Sequence, residues 1–229
     1  MNDIAAEALL IDVAGSGAVS ALLMAPGDTR AACVLAHGAG AGMHHAFMAA
    51  LAAGLATSGV ATLRFQFPSM ERGSRRPDPP HVAHAAVRAA VAAANKRLRG
   101  VPLFAGGKSL GGRMTSQAHA RSPLPGVAGL VFIGFPLHPA GRPAQDRGAH
   151  LEQVALPMLF VQGGRDELAD AGLIASLIER LGARATLAMF DDADHGFHVR
   201  VRSGSTDGEV LQRVCDTIVA WMARVVAAR

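Results

Sequence analysis

The sequence predicts one doubly wound α/β domain over residues 1–229, with a mostly parallel sheet and an antiparallel hairpin at its N-terminal edge. Three observations predict it. Short apolar runs recur that are hydrophobic throughout, as strands buried on both faces of a parallel sheet are. Helical stretches of crossover length separate them, as right-handed βαβ connections require. Half of the residues (50%) are hydrophobic and 17% charged, enough for a substantial core and unlike the composition of a disordered chain.

The elements follow in order. Apolar runs at 8–13 and 19–24 flank Gly15-Ser16-Gly17, a hairpin pattern. Residues 31–36 form a strand that runs into His37-Gly38-Ala39-Gly40-Ala41-Gly42, and an Ala/Leu-rich helix follows over 45–57. A strand at 60–67, a Pro/Arg-rich connection at 68–80 and a helix at 81–98 come next. Strand 101–106, helix 110–121 (stopped by Pro123) and strand 127–135 continue the alternation. After a loop at 136–148 come strand 157–162, helix 168–181, strand 185–190 and a long final helix at 208–228.

Composition excludes several classes of function. No window holds the roughly 18 uninterrupted apolar residues of a membrane-spanning helix. The start, MNDIAAEALLIDV, carries acids where a secretory signal has bases, so a soluble cytoplasmic protein without a membrane partner is expected. The formal charge is +4 and the pI about 10.0, which first suggests nucleic acid. The basic residues argue otherwise: only Lys96 and Lys108 are lysines, and the arginines are scattered, densest at Arg72, Arg75 and Arg76 in the Pro-rich connection. No basic stripe is interleaved with aromatics that could stack bases, so no nucleic-acid partner is expected. Cys33 and Cys215 sit in apolar segments and read as buried free thiols. Neither has the spacing of a zinc site, and no metal or other cofactor is called for.

The chemistry concentrates at Gly107-Lys108-Ser109-Leu110-Gly111, a G-x-S-x-G match between an apolar strand and a helix. A sharp strand-to-helix turn there holds the serine in strained geometry at a helix N-terminus, where N–H groups and the helix dipole favour developing negative charge. Gly107-Lys108-Ser109 also mimics the end of a phosphate-binding loop, but the first glycine of that pattern would fall at Pro102, so the loop could not wrap phosphates. A serine nucleophile needs a base and an orienting acid. His195, in Asp194-His195-Gly196-Phe197, follows the last strand; Asp166, in Gly163-Gly164-Arg165-Asp166, follows the preceding one. Ser109, Asp166, His195 is the Ser…Asp…His chain order of a known hydrolase arrangement. The glycine-rich turn after the third strand would supply one oxyanion N–H from Ala39, with Gly40 the near alternative, and Leu110 would supply the second.

Rivals stand beside these assignments. Asp166 could instead cap the following helix, and Asp170, Asp191, Asp192 and Asp194 are competing acids. His198 competes with His195. His37 reads as a structural hydrogen-bonder beneath the loop; His44 and His45 would line the pocket or cap a helix, and they lack the carboxylate that a metal pair would need.

The motifs HGAGAG, LRFQFPSMERG, GGKSLGGRM, FPLHPAGRP, VQGGRDEL and DADHGF together make the chain resemble small α/β-hydrolases near the dienelactone hydrolases, especially the testis-expressed hydrolase-like branch. The resemblance implies an α/β-hydrolase fold with Ser109 as nucleophile, Asp166 as acid and His195 as base. Dienelactone hydrolases themselves carry cysteine at the nucleophile, where this chain has serine. The expected activity is hydrolysis of a small carboxylic ester or thioester through an acyl-enzyme. The rival class is a non-catalytic interaction subunit, which a degraded triad or lost elbow would signal; the sequence has neither. The connection after the sixth strand spans only about 20 residues, too short for a helical cap. A shallow, open pocket for short acyl groups follows, with Gly40, His44, Arg113 and His138 as substrate-binding candidates and Arg64 and Arg142 near its mouth.

Overall fold

Glu7–Val13 (β1) and Gly17–Met24 (β2) form an antiparallel hairpin at one edge of an eight-stranded sheet. The computed structural model describes residues 4–229, so the first residues of the acidic start lie outside it. The remaining strands are Ala31–Ala36 (β3), Val60–Phe65 (β4), Leu103–Lys108 (β5), Val127–Ile133 (β6), Met158–Gly163 (β7) and Ala185–Phe190 (β8). Their spatial order is β1-β2-β4-β3-β5-β6-β7-β8; β4 pairs antiparallel with β2, and every pair from β4 to β8 is parallel. Burial follows position in the sheet. β3, β4, β6 and β7 are buried at every residue, whereas β1 alternates towards its end, as an edge strand with one wet face does.

Helices cover both faces. Ala46–Ala56 (α1) and Asp207–Ala227 (α6) pack on one side, where Leu51 and Leu55 meet Val214, Ile218 and Trp221. A Cβ at Gly54 would lie 2.6 Å from the Cys215 sulfur, so glycine is what lets the two helices approach. Pro80–Arg97 (α3), Leu110–Arg121 (α4) and Ala171–Leu181 (α5) pack on the other side against Leu63, Leu130 and Phe160. Both cysteines are free and buried, and burial pushes each thiol up to about 12. Among the described residues no helix is long and apolar enough to cross a membrane.

Three of the differences from the predicted segments have a local physical cause. Strand β5 begins at Leu103, because Pro102 has no N–H to add to the ladder, and it runs on through the glycines to Lys108. The 68–80 connection contains a helical turn, Pro68–Glu71 (α2), with proline at its first position, where a missing N–H costs nothing. The 136–148 loop runs into a 3-10 helix, Asp146–Gln153, whose Leu151 is buried in the core.

Topology fixes where a site can form. From β3 the chain crosses to β4 on one side; from β5 it proceeds through β6, β7 and β8 on the other. The carboxyl ends of β3 and β5 therefore flank the switch point, the crevice where open α/β sheets bind ligands. Ala36 pairs with Gly107 at that point. The backbones there leave no room for side chains: a Cβ at Gly106 would lie 1.8 Å from the Val131 carbonyl oxygen, and one at Gly107 2.1 Å from that of Ala36. Gly106→Ala is expected to lower unfolding stability by about 3 kcal/mol or more. Gly208→Ala, where the nearest atom is 3.9 Å away, should stay within about 0.5 kcal/mol in the same urea titration.

Candidate active site

Ser109 directly follows β5 and is the N-cap of α4, with φ 51° and ψ −119°, a conformation that L residues rarely adopt. Strain of this kind persists only where its surroundings enforce it. Here the enforcing contacts are backbone: Ser109 N–H donates to the Ile133 carbonyl (3.0 Å), and Gly111 lies so close to β3 that a Cβ would sit 2.2 Å from the Ala36 oxygen. The side chain is thereby lifted out of the strand ladder, one residue before a twelve-residue helix whose first N–H groups have no partner inside the helix.

His195 Nε2 lies 2.9 Å from Ser109 Oγ, and His195 Nδ1 lies 2.7 Å from Asp166 Oδ2. With Asp166 ionised, Nδ1–H donates to the carboxylate and Nε2 is left to accept from the serine hydroxyl. The Asp166 side chain has no exposure, whereas the imidazole is 30% exposed, so the acid is shielded and the ring reachable. A buried carboxylate must be hydrogen-bonded, and this one is: Gln162 Nε2 donates to Oδ2 (2.6 Å) and the Leu168 N–H to Oδ1 (2.8 Å). Gln162 is itself fixed by accepting the Phe135 N–H through Oε1 at 2.9 Å.

The competing acids have other partners. Asp170, not Asp166, caps α5, accepting the Leu173 N–H (3.0 Å). Asp194 accepts from Gly196 and His198 N–H and so shapes the turn that carries His195. His198 pairs with Asp207 at 2.7 Å, which raises the imidazole pKa. Asp191 and Asp192 line an outer groove with Arg213.

Across the switch point, Gly38 packs 3.8 Å (from its would-be Cβ) from the Ser109 Cβ. Ala39, Gly40, Leu110 and Met114 line a narrow cleft of about 10 Å³, room for about one water, together with Phe67, Met70, Arg75 and Pro77. Beneath it His37 is buried and neutral in character: its Nε2 accepts the Phe67 N–H (3.1 Å), its Nδ1–H donates to the Gly38 carbonyl (2.7 Å), and burial lowers its pKa.

Several expected mouth residues lie elsewhere. His138 is buried, donating from Nδ1 to the Pro139 carbonyl (2.9 Å) and accepting the Asp170 N–H at Nε2 (2.8 Å); with both nitrogens used by backbone, it ties the 136–139 segment to the acid loop instead of meeting a substrate. His44 lines a separate groove against Leu9, Leu22 and Ser20 of the hairpin, because the left-handed Gly42 (φ 76°) turns the chain away and the Met43 N–H is held by Gln66 Oε1 at 2.8 Å. His45 caps α1. Arg64 is buried and donates to the Met43 carbonyl, and Arg142 sits in an exposed turn. Arg113 is half-buried on α4, and among the described residues it forms no ion pair and its buried Nε has no hydrogen-bond partner. Among the described residues no group of three or more His, Cys, Asp or Glu side chains gathers as a metal site.

Two participants escaped sequence reasoning. Gln162 is the one polar residue of β7, MLFVQG, and a lone amide in a fully buried strand is the signal that would have found it. Lys108 was visible as one of two lysines and as the variable position of the glycine–serine motif, with no role attached, yet its ammonium donates to the His195 carbonyl.

Comparison with known proteins agrees with this architecture. Residues 29–223 match the family model described as alpha/beta hydrolase domain. A dienelactone hydrolase from Anabaena variabilis superposes with a TM-score of 0.74 at 20% identity, over 96% of this chain and 97% of that one. An α/β serine hydrolase without lid from Xanthomonas campestris gives a TM-score of 0.69 at 22% identity over 93% and 94%. The esterase domain of a Rhodothermus marinus protein gives 0.72 at 20% over 96% and 98%. With the family model matching most of its length, the chain belongs to the alpha/beta hydrolase domain family.

Proposed function

We propose that the protein is a serine hydrolase that cleaves small, accessible carboxylic esters or thioesters through an acyl-enzyme. The observation that carries this reading is the unbroken relay from buried Asp166 through His195 to Ser109, with contacts of 2.7 and 2.9 Å, ending on a serine with φ 51° at a helix N-terminus. Ser109 Oγ attacks the substrate carbonyl carbon while His195 Nε2 takes its proton. Asp166 keeps the imidazole in the tautomer that accepts at Nε2 and stabilises the imidazolium. The oxyanion meets the N–H groups of Ala39 and Leu110, each donor contributing about 10²–10³ in rate. The imidazolium then protonates the leaving oxygen or sulfur. Water, deprotonated by the same histidine, attacks the acyl-enzyme and releases the acid with Ser109 restored.

The cleft beside Ala39 and Leu110, lined also by Phe67, Met70 and Met114, has room for about one water, so on that side there is space for a short acyl group at most. The solved esterase domain and lidless serine hydrolase of the same fold are in keeping with a serine hydrolase.

Three outcomes are expected. A fluorophosphonate probe should label the wild type and not Ser109→Ala; labelling that persists in the variant removes the nucleophile assignment. Asp166→Asn should lower kcat by about 10⁴ with its fold intact by circular dichroism, whereas Asp191→Asn and Asp192→Asn should leave kcat near that of the wild type. Across p-nitrophenyl esters, kcat/KM should fall by about tenfold or more from acetate to octanoate; a preference for the longer chain would rule out the short-acyl cleft.

A further inference from the structure

Lys108 is out of place by composition. It is one of only two lysines in the chain, and it stands next to the strained serine at the end of a strand buried up to that point. Its ammonium lies 5.9 Å from the centroid of the Phe47 ring and 5.5 Å from that of Phe197, and donates to the His195 backbone carbonyl. The seat is completed by the absence of a side chain on the next strand: a Cβ at Gly134 would fall 2.8 Å from Lys108 Nζ and 3.4 Å from the His195 ring. Phe197, one wall of the seat, holds a left-handed conformation (φ 66°) and also stacks on Phe47. Three elements thus meet on one amine: α1 through Phe47, the β6 end through Gly134, and the 194–199 loop through His195 and Phe197.

Resting on the reading of Ser109 and His195 as the reacting pair, we infer that Lys108 is a positioning residue: its ammonium clamps the His195 carbonyl between Phe47 and Phe197 and so fixes the loop that presents the imidazole to the serine. The elbow and the histidine loop are then joined twice, once by the 2.9 Å contact between side chains and once through the residue beside the nucleophile. The clamp works best charged, because an ammonium gains from the faces of two aromatic rings and from a charge-assisted bond to a carbonyl. The charged groups that face it are Asp166 from the acid loop and Asp194 from the histidine loop, both of which favour the ammonium; burial outweighs them and brings its pKa down to about 8. The clamp therefore loosens as pH rises through about 8.

The test compares wild type, Lys108→Met and Lys108→Arg, each first shown to be folded by circular dichroism and thermal unfolding. Amide hydrogen exchange over residues 196–199 reads the loop directly, and the rate of Ser109 labelling by a fluorophosphonate between pH 6 and 10 reads its consequence. Lys108→Met should exchange faster and label more slowly, each by about tenfold or more, and should lack a decline above pH 8. Lys108→Arg should restore slow exchange and hold its labelling rate through the pH range where the wild-type rate falls. Unchanged exchange in Lys108→Met, or a wild-type pH profile in both variants, overturns the clamp, since an amine merely filling space is replaced by an isosteric apolar chain without effect on the loop. A wild type that exchanges slowly but never labels, beside a Lys108→Met that exchanges fast, would retire the hydrolase reading and leave the clamp standing.

Discussion

The structure turns on how closely the backbones of β3, β5 and β6 approach at the carboxyl end of the sheet. Gly106 meets the Val131 carbonyl, and Gly107 and Gly111 both meet that of Ala36, at separations a single Cβ would violate. That contact forces the sharp exit from β5 into α4, and the exit in turn forces Ser109 to φ 51°. It also brings the β3 turn, through Gly38, against the serine. The strained serine and the β3 turn packed on it are therefore two results of one steric constraint, which explains how a strained residue is tolerated: relaxing it would mean parting three central strands.

The second half of the site is organised by electrostatics. Burying the Asp166 carboxylate is costly unless its oxygens are satisfied, and Gln162, Leu168 N–H and His195 satisfy them. Because Gln162 also binds the Phe135 N–H and His138 links Asp170 to Pro139, the loops after β6 and β7 are laced together beneath the acid. The histidine loop is held by its own set of bonds, from Asp194 to Gly196 and His198 and from Asp207 to His198.

Much of this was legible because it is local in sequence. Apolar runs marked the parallel strands, and α4 begins and ends at the residues the pattern predicts. Ser109, Asp166 and His195 were readable because each follows a strand and short glycine-rich signatures flank them. What was not legible depends on contacts between distant segments. His138 and His44 look alike in a sequence, two histidines near glycine or proline turns; only packing shows that one spends both nitrogens on backbone and the other faces the hairpin. Arg64 read as a residue near the pocket mouth because strand periodicity does not show which strand is central, and β4 is buried at every position. The switch from loop to 3-10 helix at Asp146–Gln153 depends on Leu151 finding the core, which its own polar neighbours conceal.

That short 3-10 helix has a consequence for how the protein meets its surroundings. It occupies the stretch of chain where a cover would be inserted, yet Leu151 is sunk in the core and a Cβ at Gly148 would come within 3.1 Å of Leu177 on α5. It is a strut braced against the body, not a flap hinged over the crevice. With no cap built on that stretch, the crevice at Ser109 is bounded by the loops at the carboxyl end of the sheet and by the braced helix beside them. If the serine reacts as proposed, selection among substrates rests on the few atoms around it, since no mobile cover is there to add to it.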